Sequence, residues 1–319
     1  MAKQLNISID KLKVCYKIPQ SYDIFEFIIT ESGLRHLTKT EIDWENTPKI
    51  YFNTTDFYLQ VIGVTQNEST QEYTDILLNV VCCDGLKLGQ FEISTAKYIG
   101  KCFFTFENRA LYTNISSIYG IKSNPISYWL YAADCMDIKF NNITKIEIAF
   151  DRNKNFMRKV KKHIRNLAIE MFVNGHKVKD TTSTINGYKE IYTSSREQLS
   201  KQPSLYFKQT KGLELNIYNK SQEMTESTPT KWEYIPEWLG WGAADSKDTI
   251  YRAEIRAGNN DIRDFYAFLG DLRHDFGGYD EILGQLSNPD FLAFLWDWCA
   301  HRLVYFRSDG KDINLTDLL

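Results

Sequence analysis

Three short stretches of this chain set acids, a phenol and cations at every second residue. In ITKIEIAFD, Ile146, Ile148 and Phe150 alternate with Lys145, Glu147, Ala149 and Asp151. In LELNIYNKSQE, Leu213, Leu215 and Ile217 alternate with Glu214, Asn216, Tyr218 and Lys220. In YRAEIRA, Tyr251, Ala253 and Ile255 alternate with Arg252, Glu254 and Arg256. Period-two alternation marks a β-strand with one apolar face. Strands that neighbour one another would pool Glu147, Asp151, Tyr218, Lys220, Arg252 and Glu254 on one surface.

Carboxylates gathered in one place repel each other unless a cation sits between them. Hard oxygen ligands suit Mg²⁺ or Mn²⁺, and such an ion polarises a phosphodiester oxygen. A phenol, with a pKa of ~10, is a weak nucleophile until positive charge stabilises the phenolate. Lys220, two residues from Tyr218, is placed to supply that charge or to meet charge developing in the transition state. Together these groups suggest a nuclease that forms a phosphotyrosine. The plain alternative is that each strand shows water an ordinary polar face, as antiparallel sheets often do.

The elements that would hold these residues follow from the pattern. LNISID, YDIFEFII, KIYFNTT, FYLQVIGVT, YTDILLNVVCC, LGQFEIS and KCFFTFEN read as strands of an antiparallel meander. SNPISYWLYAAD starts a helix, capped by Ser123 or Asn124. Phe156, Val160, Ile164, Leu167 and Met171 have helical spacing, with Gly175 as the C-cap. GYKEIYTSS is a strand, and a hairpin turns near Gln209 to Gly212. SQEMTESTPTK is read as a polar loop, and the chain after YRAEIRAG as helical to its end. Runs of strands with few helices between them predict an α+β fold, a largely antiparallel central sheet flanked by helices. A β-rich part, 1–120, precedes a catalytic part, 121–319, on one continuous sheet.

Of 319 residues, 43% are hydrophobic and 14% aromatic, enough for a sizeable core and against intrinsic disorder. No stretch reaches the ~20 apolar residues of a membrane span, and the amino-terminal run has no apolar signal region, so a cytoplasmic protein with no membrane partner is expected. The six cysteines form no CxxC pair and no zinc-spaced cluster, and buried free thiols are expected. The histidines (His36, His163, His176, His274 and His301) are scattered and read as surface or structural. A net charge of −3 excludes a wholly basic surface but not a local basic patch.

The three motif segments, in this order, resemble the Rep_trans-type rolling-circle replication initiators of small plasmids. They also resemble the related relaxase-like nicking enzymes of conjugative elements. That family carries a strand like TRLDLAFD, a hairpin ending in RIYNKKQE or RIYDKxxE, and then RVEI. The matching stretches here are TKIEIAFD, NIYNKSQE and YRAEI, and CFFTFENRALY upstream resembles the strand before the acidic motif.

The resemblance implies that Tyr218 attacks an origin phosphodiester, joins the 5′ phosphate and frees a 3′ hydroxyl. Lys220 and Arg252 would assist, and Glu147, Asp151, Glu254 and Glu223 map onto a metal-dependent acidic site for Mg²⁺ or Mn²⁺. It implies origin DNA (or transfer-origin DNA), a host or element helicase and a homodimeric partner. The chain departs from the family at Glu147, where the motif has Asp; at Asn216, where it has Arg; and at Lys208, where it has Gly. The His-hydrophobic-His motif of the wider nicking/relaxase (Rep) fold is absent.

Arg158, Lys161, Lys162 and Arg165 of the basic helix, and Asn216 on the hairpin, are the candidate DNA contacts. The helix reads equally as a solvated face. Trp232, Tyr234, Trp238 and Trp241 either stack unpaired bases or pack a loop on the core. A relaxase with the same chemistry and a non-catalytic DNA-binding replication-control protein are the competing readings.

Overall fold

The computed structural model describes residues 7–19, 23–34, 37, 40–44, 46–52, 54–70, 72–113, 115–116, 122–178, 196–209, 212–240, 249–272 and 277–319. His36, His274, Trp241 and the strand expected at 187–195 lie outside them. The fold is α+β, a large antiparallel sheet flanked by helices, as the sequence pattern predicts. No helix among the described residues is long and apolar enough to cross a membrane.

In chain order the elements begin β1 (Ile7–Lys17), α1 (Ile24–Glu31), β2 (Phe57–Gln66), β3 (Tyr73–Cys82), β4 (Lys87–Ser94), β5 (Lys101–Phe106), α2 (Asn108–Leu111), β6 (Ile115–Ser116) and β7 (Lys122–Ser123). There follow α3 (Pro125–Cys135), β8 (Lys139–Arg152), α4 (Met157–Arg165), β9 (Glu170–Val173), β10 (His176–Lys177), α5 (Arg196–Lys201), β11 (Leu205–Lys208) and β12 (Glu214–Asn219). The chain ends with α6 (Lys220–Ser227), α7 (Ile235–Trp238), β13 (Tyr251–Gly258), α8 (Asn259–Leu272), α9 (Ile282–Gln285), α10 (Pro289–Leu303), β14 (Val304–Ser308), β15 (Lys311–Asn314) and α11 (Leu315–Leu318).

Two compact units divide these elements. One holds the described residues of Lys11–Lys145 and Gly278–Ser287. Its strands follow the order β1-β5-β4-β3-β2, each pair antiparallel. Its core centres on Trp129 of α3, which stacks on Phe104 at 3.5 Å and donates from Nε1 to the Tyr16 hydroxyl at 2.9 Å. Asn124 caps α3, accepting from the Ile126 amide at 2.8 Å, with Pro125 preset at the first helical position. Where YDIFEFII is expected as a strand, Ile24–Glu31 forms a helix, and Tyr22 lies outside the described residues. Asp23 caps α1 by accepting from the Glu26 amide at 3.0 Å. Ile24, Phe25, Ile28 and Ile29 then fall on one buried helical face.

The other unit holds the described residues of Met1–Asp10, Ile146–Gly277 and Asn288–Leu319. Its main sheet runs β11-β12-β13-β8-β1, and a smaller antiparallel sheet runs β10-β9-β14-β15. Four expectations fail here, two because strand pairing with β9 and β14 overrides a helical period and two because a local turn or cap sets the backbone. Leu167 and Met171 do not continue α4, which stops at Arg165: Leu167 is 63% exposed, and Met171 is buried from strand β9. Gly175 is no helix cap. Asn174 and Gly175, at φ 52° and 76°, turn β9 into β10. Residues 220–233 are not a loop but α6 followed by a 3-10 turn, Pro229–Glu233. The last stretch is not all helix, because Val304 to Phe306 leave α10 to pair with β9.

Arg196 accounts for the end of α4. Its buried guanidinium donates from Nε to the Ile164 carbonyl at 2.7 Å. Its Nη2 donates to the carbonyls of His163, Asn166 and Ile169 at 3.2, 3.0 and 2.9 Å. A cation there satisfies helix-end carbonyls and opposes the negative end of the helix dipole. Arg196→Met should therefore lower unfolding stability by about 3 kcal/mol. Urea titration should show a lower midpoint with an unchanged slope.

Candidate functional site

The register of β12 and β13 builds the site. Glu214, Asn216 and Tyr218 stand directly opposite Arg256, Glu254 and Arg252, so all six side chains share one face. The other neighbour of β13 is β8, which brings Glu147 and Asp151. Beyond β8 lies β1, which brings Asp10.

At the centre is Arg252, fully buried. Its Nε and Nη2 donate to the two carboxylate oxygens of Asp151 at 2.8 and 2.6 Å. Its Nη1 donates to Asp10 Oδ1 at 2.6 Å and lies 3.6 Å from Glu254 Oε2. Tyr218 Oη donates to Glu254 Oε2 at 3.2 Å. Glu147 accepts from Arg256 Nε at 2.7 Å, and Arg256 Nη1 donates to Glu214 at 3.1 Å. Lys208 pairs with Glu214. Lys231, from the 3-10 turn, places Nζ 3.5 Å from Asp10 Oδ2.

The electrostatics follow from burial and these neighbours. Burial works to raise the Asp10 pKa, but Arg252, Lys231 and Lys220 overcome it and hold the carboxyl well below the usual carboxylate range. Glu254 goes the other way. Burial raises its pKa, Arg252 opposes this, and the charges of Asp10 and Glu147 add to the rise. Burial likewise lifts the Tyr218 phenol above its ordinary range; Arg252 pulls it down, and Glu254, Glu223 and Asp10 push it up. Burial and the Arg252 charge bring the Lys220 ammonium down to about 8.

Asp10, Glu147 and Glu254 each offer a carboxylate oxygen, all within 4.8 Å of one another. Two oxygens on opposite sides of one Mg²⁺ lie ~4.2 Å apart, so this span closes onto an ion with small side-chain movements. Glu254, penalised by its acidic neighbours, is the kind of group that a hard cation relieves. The donor set therefore fits Mg²⁺ or Mn²⁺.

Of the residues picked out in the sequence, Glu147, Tyr218 and Glu254 come together. Asp151 is held by Arg252 and lies outside the three-oxygen group. Glu223 is on α6, paired with Lys220. Lys220 is not a strand residue. Asn219 caps α6, accepting from the Gln222 amide at 3.1 Å, and the alternation stops there. Its ammonium still lies 5.8 Å from the Tyr218 ring centroid. Asn216 is half-buried opposite Glu254. On α4, Arg158, Lys162 and Arg165 are exposed, while Lys161 donates to the Gln202 carbonyl. Trp232, Tyr234 and Trp238 are half-buried beside buried Ile235 and Pro236. Asp10 and Lys231 were missed. Asp10 had a signal, since Ser8 and Asp10 alternate with Ile7 and Ile9 in the same way as the motif strands.

Fold and site together define an α+β chain with a half-buried phenol–carboxylate pair on an antiparallel sheet. No protein-family model matches the chain. No curated protein matches it. Among solved structures it is similar to a rolling circle replication initiator protein from Geobacillus stearothermophilus, at 14% identity over 92% of this chain and 96% of that one, with a TM-score of 0.34.

The raised Glu254 pKa makes a signed prediction for chelator-treated protein. A folded-state pKa above the unfolded value penalises the carboxylate at neutral pH; the penalty fades as pH falls through the raised folded value and is gone below the ordinary value of 4.5. Metal-free Glu254→Gln should therefore melt above wild type at pH 7, with the gap narrowing as pH falls and closed below pH 4.5. Added Mn²⁺ should stabilise wild type and leave this variant unmoved.

Proposed function

We propose that this chain is a metal-dependent DNA nickase and strand transferase that initiates rolling-circle replication through a 5′-phosphotyrosine at Tyr218. The observation that carries the reading is the Tyr218 Oη–Glu254 contact at 3.2 Å, since Glu254 belongs to the three-carboxylate group. The ordered motifs TKIEIAFD, NIYNKSQE and YRAEI support it independently.

In this reading Asp10, Glu147 and Glu254 would hold a divalent cation, which when bound would polarise the scissile phosphate and favour the phenolate. Glu254 Oε2 takes the phenolic proton. Tyr218 Oη forms a bond to phosphorus, the bond from phosphorus to the 3′ oxygen breaks, and that oxygen takes a proton from solvent water to leave as the 3′ hydroxyl, while Glu254 returns the phenolic proton to solvent. Arg252 keeps Asp10 in place and opposes the negative charge around the phenol, while Lys220 adds positive charge beside the ring. Asp151 keeps Arg252 in place. Arg158, Lys162 and Arg165 track the DNA backbone, and Asn216 contacts DNA at the hairpin. A helicase and a second copy of the chain complete the proposed machinery.

Incubation with a supercoiled plasmid carrying the cognate origin should yield a covalent protein–DNA adduct. Tyr218→Phe keeps the ring and removes the attacking oxygen, so it should bind the origin and form no adduct. A normal adduct with this variant would overturn the assignment.

Changing Arg158, Lys162 and Arg165 together to Gln should weaken binding to all DNA sequences. The slope of log affinity against log salt should shrink by about one per lost phosphate contact. An unchanged slope would make α4 a solvated face.

A further inference from the structure

The charges around the three-carboxylate group do not balance among the named residues. Asp10, Glu147, Asp151, Glu214, Glu223 and Glu254 meet five cations, Arg252, Arg256, Lys208, Lys220 and Lys231. One negative charge is left over, and a divalent ion would turn that into one positive charge. A phosphodiester carries a single negative charge and would close the account.

These cations are not held alike. Arg252 has a bidentate partner in Asp151 and a third bond to Asp10. Arg256 bridges Glu147 and Glu214. Lys220 is 1% exposed and paired with Glu223 on its own helix. Lys231 reaches Asp10 only at 3.5 Å, is 14% exposed at its side chain, and rises from a short 3-10 turn with no side-chain cap. It carries its charge on a flexible stem that can be redirected without breaking a bidentate pair.

We infer that Lys231 is a second, displaceable counter-cation of Asp10 beside Arg252, that it leaves when a divalent ion enters, and that its freed ammonium then binds a non-bridging phosphate oxygen of the DNA strand. The displacement follows from like-charge repulsion between an ammonium and an ion that share Asp10. The phosphate contact rests on the nickase reading; the displacement does not. Lys231 thus serves the metal-free protein as a charge stand-in and the loaded protein as a substrate-binding residue.

The test compares Lys231→Gln and Lys231→Arg with wild type in two measurements. Calorimetric titration with Mn²⁺ reads the displacement. Lys231→Gln should bind Mn²⁺ on the order of tenfold more tightly, because nothing has to leave Asp10, and Lys231→Arg should stay near wild type. Unchanged or weaker Mn²⁺ binding by Lys231→Gln would overturn the displacement. Binding of a mixed-sequence single-stranded oligonucleotide in saturating Mn²⁺, in a Tyr218→Phe background that cannot cleave, reads the second half. Lys231→Gln should weaken it several-fold and Lys231→Arg should restore it, and equal affinities would overturn the phosphate role. Failure of the nickase reading would look different: no adduct from wild type, with the Mn²⁺ shift intact.

Discussion

The guanidinium of Arg252 is the interaction on which the site depends. It is fully buried, and it touches both Asp151 and Asp10 while lying within 3.6 Å of Glu254. Removing a charge from water costs several kcal/mol unless strong partners replace the solvent. Here the partners are carboxylates on β8 and β1, so the price of burying each acid is met by the same guanidinium. The arrangement also fixes geometry, because a planar donor fork held by two oxygens of Asp151 cannot rotate. Asp10 is therefore aimed at the acidic group by a residue two strands away.

The same economy appears at α4, where Arg196 gathers four carbonyl oxygens around one buried charge. In both places an arginine far along the chain fixes an element laid down earlier. Neither contact adds much apolar burial. Each satisfies polar groups that would otherwise be stranded, and so decides where a helix ends or where an acid points.

The motif strands were legible because a strand writes its two faces at neighbouring positions, so Glu147, Tyr218 and Glu254 could be assigned to one surface before any pairing was known. Lys220 was misplaced because alternation continues in letters after the backbone has begun a helix. Only the Asn219 cap marks the change. The helix α1 was missed because YDIFEFII fits both periods in eight residues, and the Asp23 cap decides between them. VYF after α10 is apolar at each position and fits either period as well. Asp10 lies 137 residues from Glu147, and its strand carries too short a polar pattern to announce a site. Lys231 had no pattern at all, since it enters the site from a turn whose course depends on α6.

Tyr218 is a rung of a ladder, paired with Arg252 on β13, one residue beyond Ile217, where the pairing of its strand with β11 ends. That pairing fixes the backbone from which its side chain reaches Glu254. In the chemistry proposed here, the ester that forms on its oxygen stays beside Glu254, the group that received the proton. The reverse attack by a free 3′ hydroxyl then finds acid, ester and cation site already aligned. By microscopic reversibility, sealing a strand in that proposed chemistry would need no second arrangement of the protein. The clock for release would then be set by when a DNA end comes back, and control of the proposed reaction would lie in the motion of the nucleic acid.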